Sequence, residues 1–148
     1  MKSIIFLAAT TFFIINISCK KEKFSRELNG TWRLVEVYDK SQSATLTPPA
    51  ENGNDLSLTF KSGKFSGHTL NNTITDGKYN HPSEGKILFG TYSMTQVNED
   101  VWGSTLTTVL NACALSSSAP CQTSDYSIVG DELQIDTPLR YRLKFVKL

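Results

Sequence analysis

His68 and His81 are the two histidines of this 148-residue chain, and an imidazole beside a hydroxyl and a carboxylate is the usual starting set for acyl transfer. Neither stands in a Gly-x-Ser-x-Gly turn, and Pro82 directly after His81 suits a loop residue flanking a turn. Serine and threonine are so abundant here that a hydroxyl near either ring carries no information. Glu99 and Asp100 are adjacent acids. On a helix, neighbouring side chains diverge by about 100 degrees, so this pair suits the start of a helix and not a facing acid and base. Asn71-Asn72-Thr73 contains a glycosylation-like triplet but reads better as an asparagine-assisted turn. No glycine run has phosphate-loop spacing. The chain is therefore expected to have no catalytic residue, no metal ligand and no cofactor.

The three cysteines carry more information. Cys19 ends a segment in which Met1 and Lys2 precede an apolar run from Ile4 to Ile15, with small Ser18 just before the thiol. That is the layout of an export signal. As a helix the run would reach only about 18 Å, against a hydrocarbon core of about 30 Å, so it is short for a membrane span. A cysteine after a small residue at such a place resembles the lipobox of bacterial lipoproteins, where the thiol is acylated and the chain is cut before it; Asn16 stands where that pattern favours an aliphatic residue. The resemblance implies lipid attachment at Cys19, a signal peptide over residues 1–18 and a lipidated tether over 19–28. An ordinary export signal cut nearby, with Cys19 as an incidental thiol, is the alternative. Several acyl chains hold a protein to a bilayer almost permanently, at about 0.8 kcal/mol per buried methylene. Lys20, Lys21 and Lys23 would lie beside the headgroups, and a lysine directly after the cysteine resembles signals for passage to a bacterial outer membrane. Cys113 and Cys121, in "NACALSSSAPCQT", lack the paired C-x-x-C or H-x-H spacing of a zinc site. In an oxidising location a disulfide between them is favoured over two free thiols, a loop staple with an entropic contribution of about 2.5 kcal/mol.

Charge excludes one class of partner. The formal net charge is +1, and without Lys2 the basic groups equal the 14 acidic ones, so a nucleic-acid partner with its demand for a clustered basic face is not expected. The remaining length suits one domain, spanning residues 29–148.

These residues need a frame, and the frame reads as strands. "NGTWRLVEVYD" alternates, placing Trp32, Leu34 and Tyr38 on one side and Val35 and Val37 on the other. "SQSATLTPPAENGND" has prolines, glycine and no period, a long loop. In "DLSLTFKSGKFSG", Leu56, Leu58 and Phe60 alternate with polar residues before a Ser62-Gly63 turn, a hairpin. "GKILFGTYSMTQV" offers two short strands meeting near Gly90, with Tyr92 and Met94 on one face. From Val101 the rhythm changes: Val101, Trp102, Leu106, Val109, Leu110 and Cys113 fall near one helical face, predicting a helix over about 99–112 with Asn98 as cap. "YSIVGDELQI" predicts a hairpin about Gly130-Asp131, and Leu139, Tyr141, Leu143 and Phe145 alternate in a last strand. The fold class is mainly β (α+β): a curled antiparallel sheet or incomplete β-barrel of about eight short strands with one packed helix.

In this order, "GTWRLVEV", "LSLTF", "GKFSGHTLNNTITDGKY", "KILFGTYSMTQV", "EDVWGSTLTTVL" and "YSIVGDELQI…YRLKFVKL" resemble the META domain of HslJ-like bacterial envelope lipoproteins over most of residues 29–148. The distinctive parts are the loop from Gly67 to Tyr79 with Asn71 and Asn72, the Thr95-x-Val97 element and the acidic-Val-Trp-Gly start of the helix. Many members have Gly-Cys-Asn where this chain has Thr69-Leu70-Asn71, and the stretch between Cys113 and Cys121 has the look of an insertion. The resemblance implies a β-rich domain with one packed helix in an exported, lipid-anchored protein, with a role in interaction or envelope maintenance. It implies no catalytic residue. A lesser likeness, through Gly30-x-Trp32 and Arg140 or Arg142, is to lipocalin-type barrels, in which an arginine packs over a tryptophan. It implies the alternative function, a carrier of a small apolar ligand held between the sheet and the helix carrying Trp102. The expected partners are the membrane through its anchor and either an envelope protein or such a ligand.

Overall fold

Alternating apolar residues build a wall that closes on itself. The computed structural model describes residues 27–49, 56–111 and 122–148. The signal segment, Cys19 with most of its tether, and both Cys113 and Cys121 lie outside the described residues. In chain order the elements are β1 (Gly30–Asp39), β2 (Ala44–Leu46), β3 (Ser57–Lys61), β4 (Lys64–His68), β5 (Thr73–Asn80), β6 (Lys86–Phe89), β7 (Ser93–Met94), α1 (Val101–Leu110), β8 (Ser124–Val129), β9 (Glu132–Asp136) and β10 (Tyr141–Lys147). Eight strands form an antiparallel barrel in the order β10, β9, β8, β6, β5, β4, β3, β1, and β10 returns to pair with β1. The expected curled sheet is thus a closed barrel. Two short strands are added to it: β2, inside the stretch expected to be a loop, pairs with the last residues of β1, and β7 pairs with the start of β5.

The two predicted hairpins are present. Ser62 and Gly63 both have positive φ (50 and 80 degrees), the conformation whose twist matches antiparallel strands, and Gly130 turns β8 into β9. Closure needs bends as well, and they come from irregularities in register on β1, between Leu34 and Glu36, and between β4 and β5 beside Gly67. On β1 the extra residue overturns the expected faces. Val37 joins Trp32 and Leu34 in the interior while Tyr38 turns outward, because one inserted residue swaps every later side chain to the other side. Gly77 on β5 has a packing reason: a Cβ there would meet the Phe65 ring at 2.6 Å.

The interior is occupied by side chains. Trp32, Phe60, Phe145, Leu58, Ile74, Ile87, Leu133 and Leu143 are fully buried. The rings of Phe60 and Tyr79 meet edge-on at 5.2 Å, and those of Phe65 and Phe89 at 5.4 Å, an arrangement that aromatic quadrupoles favour. Leu106, Val109 and Leu110 of α1 belong to the same core, with Tyr92, Met94 and Trp102 packed against it.

The helix begins later than its sequence suggested, and Asn98 is not its cap. Asp100 is extended, with ψ −176 degrees, and its carboxylate accepts from the backbone N–H groups of Trp102 at 2.8 Å and Gly103 at 2.7 Å. Asn98 instead uses its carbonyl to receive Asn71 Nδ2 at 2.9 Å. The hydroxyls that lower helix propensity are turned back onto the helix: Thr105, Thr107 and Thr108 donate to the carbonyls of Val101, Gly103 and Ser104.

Candidate functional site

The residues singled out around Asn71, Thr95 and Glu99 converge on one place, the joint between the β4–β5 turn and the start of α1. Asn72 is buried there, and its amide is fully paired. Its Nδ2 donates to the Val97 carbonyl at 2.7 Å and to Glu99 Oε1 at 2.8 Å, and its Oδ1 accepts from Thr95 Oγ1 and Val97 N, each at 2.9 Å. Thr69 Oγ1 donates to the same Glu99 oxygen at 2.8 Å and receives the backbone N–H of Asn72 at 2.8 Å. Glu99 therefore stands before the helix rather than in its first turn, holding the turn to the helix start. Most of the hydrogen-bonding capacity of this knot is directed inward, with Glu99 Oε2 buried beside it and accepting no hydrogen bond among the described residues, and its chemistry is that of a clamp.

The histidines stay apart, near opposite ends of β5. His68 is exposed and pairs in register with Ser57 and Thr73, its Nδ1 at 3.4 Å from Thr73 Oγ1. His81 follows β5, with Nδ1 at 3.3 Å from the Lys86 carbonyl and its ring at 5.3 Å from those of both Tyr79 and Tyr126. Burial, then the nearby Glu27, Tyr79 and Glu84, push the Tyr126 hydroxyl up to about 12, so it stays protonated at neutral pH. Burial also raises Tyr92, against a hydrogen bond with Asn111 and helped by Glu99. Among the described residues, no group of three or more His, Cys, Asp or Glu is arranged to hold a metal ion.

The tryptophan–arginine pairing expected of a lipocalin-type floor is not formed. Trp32 donates from Nε1 to the Leu28 carbonyl at 2.7 Å, and the cation over its ring is Lys147, at 5.3 Å. Register explains this, since Trp32 pairs with Lys147 whereas Tyr38 and Asp39 pair with Arg142 and Tyr141 at the other end of β1. There Arg140 grips buried Asp39, with Nε at 3.1 and 3.0 Å from the two carboxylate oxygens and an Nη at 2.6 Å from one of them. Hydrogen bonds from Arg140 and then Ser41 hold the Asp39 carboxyl well below the usual carboxylate range.

Among the described residues an opening that could take a ligand lies elsewhere, where β6 runs into β7 beside the end of α1. A cleft of about 510 Å³ is lined by Phe89, Gly90, Thr91, Tyr92, Met94, Leu110 and Asn111. Its walls are mainly apolar, with the Tyr92 hydroxyl and the Asn111 amide as polar groups. Alternation puts Tyr92 and Met94 on one face, but nothing local in the sequence shows that Leu110 stands across from them.

No protein-family model matches this chain, and no curated protein matches it. Among solved structures, it is similar to the NMR structure of a protein from Burkholderia xenovorans, with a TM-score of 0.58 and 21% identity over 84% of this chain and 86% of that one. At that identity the likeness concerns the fold, and the fold is a closed antiparallel barrel with one packed helix.

Proposed function

We propose that this chain is a lipid-anchored protein of the bacterial envelope, carrying a META-like barrel that acts by tethered interaction and performs no reaction of its own. The observation that carries the reading is the clamp at Asn72. The residues on which the META resemblance rests, Asn71, Asn72, Thr95, Val97 and Glu99, meet there in one hydrogen-bonded unit and serve the joint between turn and helix. Acylation of Cys19 would confine the barrel to a membrane surface and raise the effective concentration of whatever it meets there. Growth with an alkyne-bearing fatty acid tests this: the wild-type protein is expected to take up the label and sediment with membranes, and Cys19→Ala to do neither. An unlabelled wild-type protein, or processing indifferent to an inhibitor of the lipoprotein signal peptidase, would overturn it.

A second reading is favoured by the cleft. Phe89, Tyr92, Met94 and Leu110 offer an apolar wall to one small ligand, which would make the protein a carrier. On this reading, native mass spectrometry of delipidated protein mixed with palmitate retains an adduct that Met94→Arg, at a partly buried position of the lining, abolishes. An equal signal from both proteins counts against it.

A further inference from the structure

Three lysines form an unmatched line across neighbouring strands. Lys61 on β3 stands directly opposite Lys64 on β4, and Lys64 directly opposite Lys78 on β5. Residues opposite one another in antiparallel strands share a face with Cβ atoms about 4.5–5.5 Å apart, so three ammonium stems rise from a strip only about 10 Å long. All three are exposed, because the positions preceding or following them, Phe60, Phe65, Gly77 and Tyr79, face inward. Elsewhere Lys40 pairs with Asp136, Lys86 with Asp125 and Lys144 with Glu132, while Lys147 lies over the Trp32 ring. Among the described residues, none of the three in the line makes an ion pair. Asp76, exposed on β5 at a left-handed backbone position, is the acid nearest along that strand and leaves the strip with excess positive charge. Like charges placed opposite each other weaken a sheet, so the fold itself gains nothing from this arrangement.

The position of the line indicates its partner. Gly30 at the start of β1 pairs with Phe60, and Asn29 Oδ1 accepts from Ser62 N at 3.1 Å, so the turn between Lys61 and Lys64 adjoins the point where the barrel receives its N-terminal segment. Ten residues, 19–28, span at most about 33–36 Å when extended, and three of them are lysines. A barrel held through Cys19 thus keeps this end near the bilayer. We propose that Lys61, Lys64 and Lys78 are a docking face for anionic lipid headgroups, seating this end of the barrel on the membrane that holds the anchor. The inference rests on the lipid-anchored reading and adds an orientation to it.

The test uses full-length protein purified from membranes, its mass first read for acylation of Cys19. The protein is placed in vesicles of phosphatidylcholine alone, or mixed in roughly equal parts with phosphatidylglycerol, and lysine labelling by an amine-reactive reagent is followed by peptide mass spectrometry. Labelling of Lys61, Lys64 and Lys78 is expected to slow roughly tenfold in the anionic vesicles and to recover at raised ionic strength, while Lys40, at the other end of β1, stays unchanged. Equal labelling in both vesicles overturns the docking face and leaves the anchor reading untouched. If Cys19 is unacylated, the anchor reading fails first. The docking face is then judged by flotation of the unanchored protein with the same vesicles, where wild type must exceed the K61Q/K64Q/K78Q triple variant roughly tenfold or the proposal is lost. The triple variant should match or exceed the wild-type Tm, which separates lost docking from lost folding.

Discussion

Asn72 has no hydrogen-bonding capacity left over, which makes it the most exacting single position outside the apolar core. Its replacement by alanine leaves the Val97 carbonyl and amide without their partner in a buried joint, and takes one hydrogen bond each from Thr95 and Glu99, which keep those with Thr73 and Thr69. Chemical denaturation should show Asn72→Ala less stable by about 2–3 kcal/mol, with an unchanged dependence on denaturant. A loss below about 0.5 kcal/mol would mean that water replaces the amide and that the clamp is dispensable. Asp39 makes a different prediction, about pH. Its folded carboxyl is depressed by Arg140 and Ser41, so the unfolded chain takes up its proton first as the solution is acidified. The stabilisation is present above the ordinary carboxylate range near about pH 4 and is lost as pH falls below it. Asp136 acts in the same direction: burial alone would raise it, but hydrogen bonds from Lys40 and Arg142 outweigh burial and hold it low. The Tm of wild type should therefore fall more steeply than that of Asp39→Asn between about pH 4 and pH 2. Parallel curves would show that the Asp39 pair does not couple to folding.

At the scale of elements, α1 tests whether the joint is understood. Glycine inside a helix normally costs about 1 kcal/mol relative to alanine. Here a Cβ on Gly103 would land on the Glu99 carboxylate and 3.1 Å from Thr69 Cβ, so Gly103→Ala should reverse the usual sign and destabilise by about 1–3 kcal/mol. In a Glu99→Ala background the same substitution should cost much less, and a double-mutant cycle by thermal unfolding reads the difference. Strands were legible where the signal was local. Leu56, Leu58 and Phe60 alternate within a few residues of Ser62-Gly63, and Tyr126 and Ile128 do so before Gly130. The helix was legible by its period, but its start was not, because Asn98 and Asp100 are both good capping residues and the contacts of Asn98 and Glu99 with the β4–β5 turn, which put the cap at Asp100, exist only in the folded chain. The faces of β1 after Leu34 depend on a bulge that no residue type announces. The pairing of Asp39 with Arg140, 101 positions apart, exists only once β10 has closed onto β1. The clamp was legible as separate motifs and not as one site, and the cleft was not legible at all, since Leu110 meets Tyr92 and Met94 only in the folded chain.

For the whole molecule, closing the sheet removes the exposed edges that invite aggregation and leaves an interior that must be filled. Aromatic residues from β3, β4, β5 and β6 do this together, so Phe60→Ala should cost about 3–5 kcal/mol, measured by urea unfolding; a near-neutral result would mean that the interior readily collapses around the gap. A filled barrel leaves its outer surface and rim for contacts with other molecules, as the proposed tethered role requires. One consequence follows from how unequally that wall is stitched. β1 and β10 meet along seven register pairs, whereas β6 meets β5 and β8 through two pairs each. If the cylinder breathes, it will unzip along the borders of β6 while the β1–β10 side stays shut. Deuterium should accordingly enter the amides of residues 86 to 89 and 124 to 126 well before those of 32 to 38.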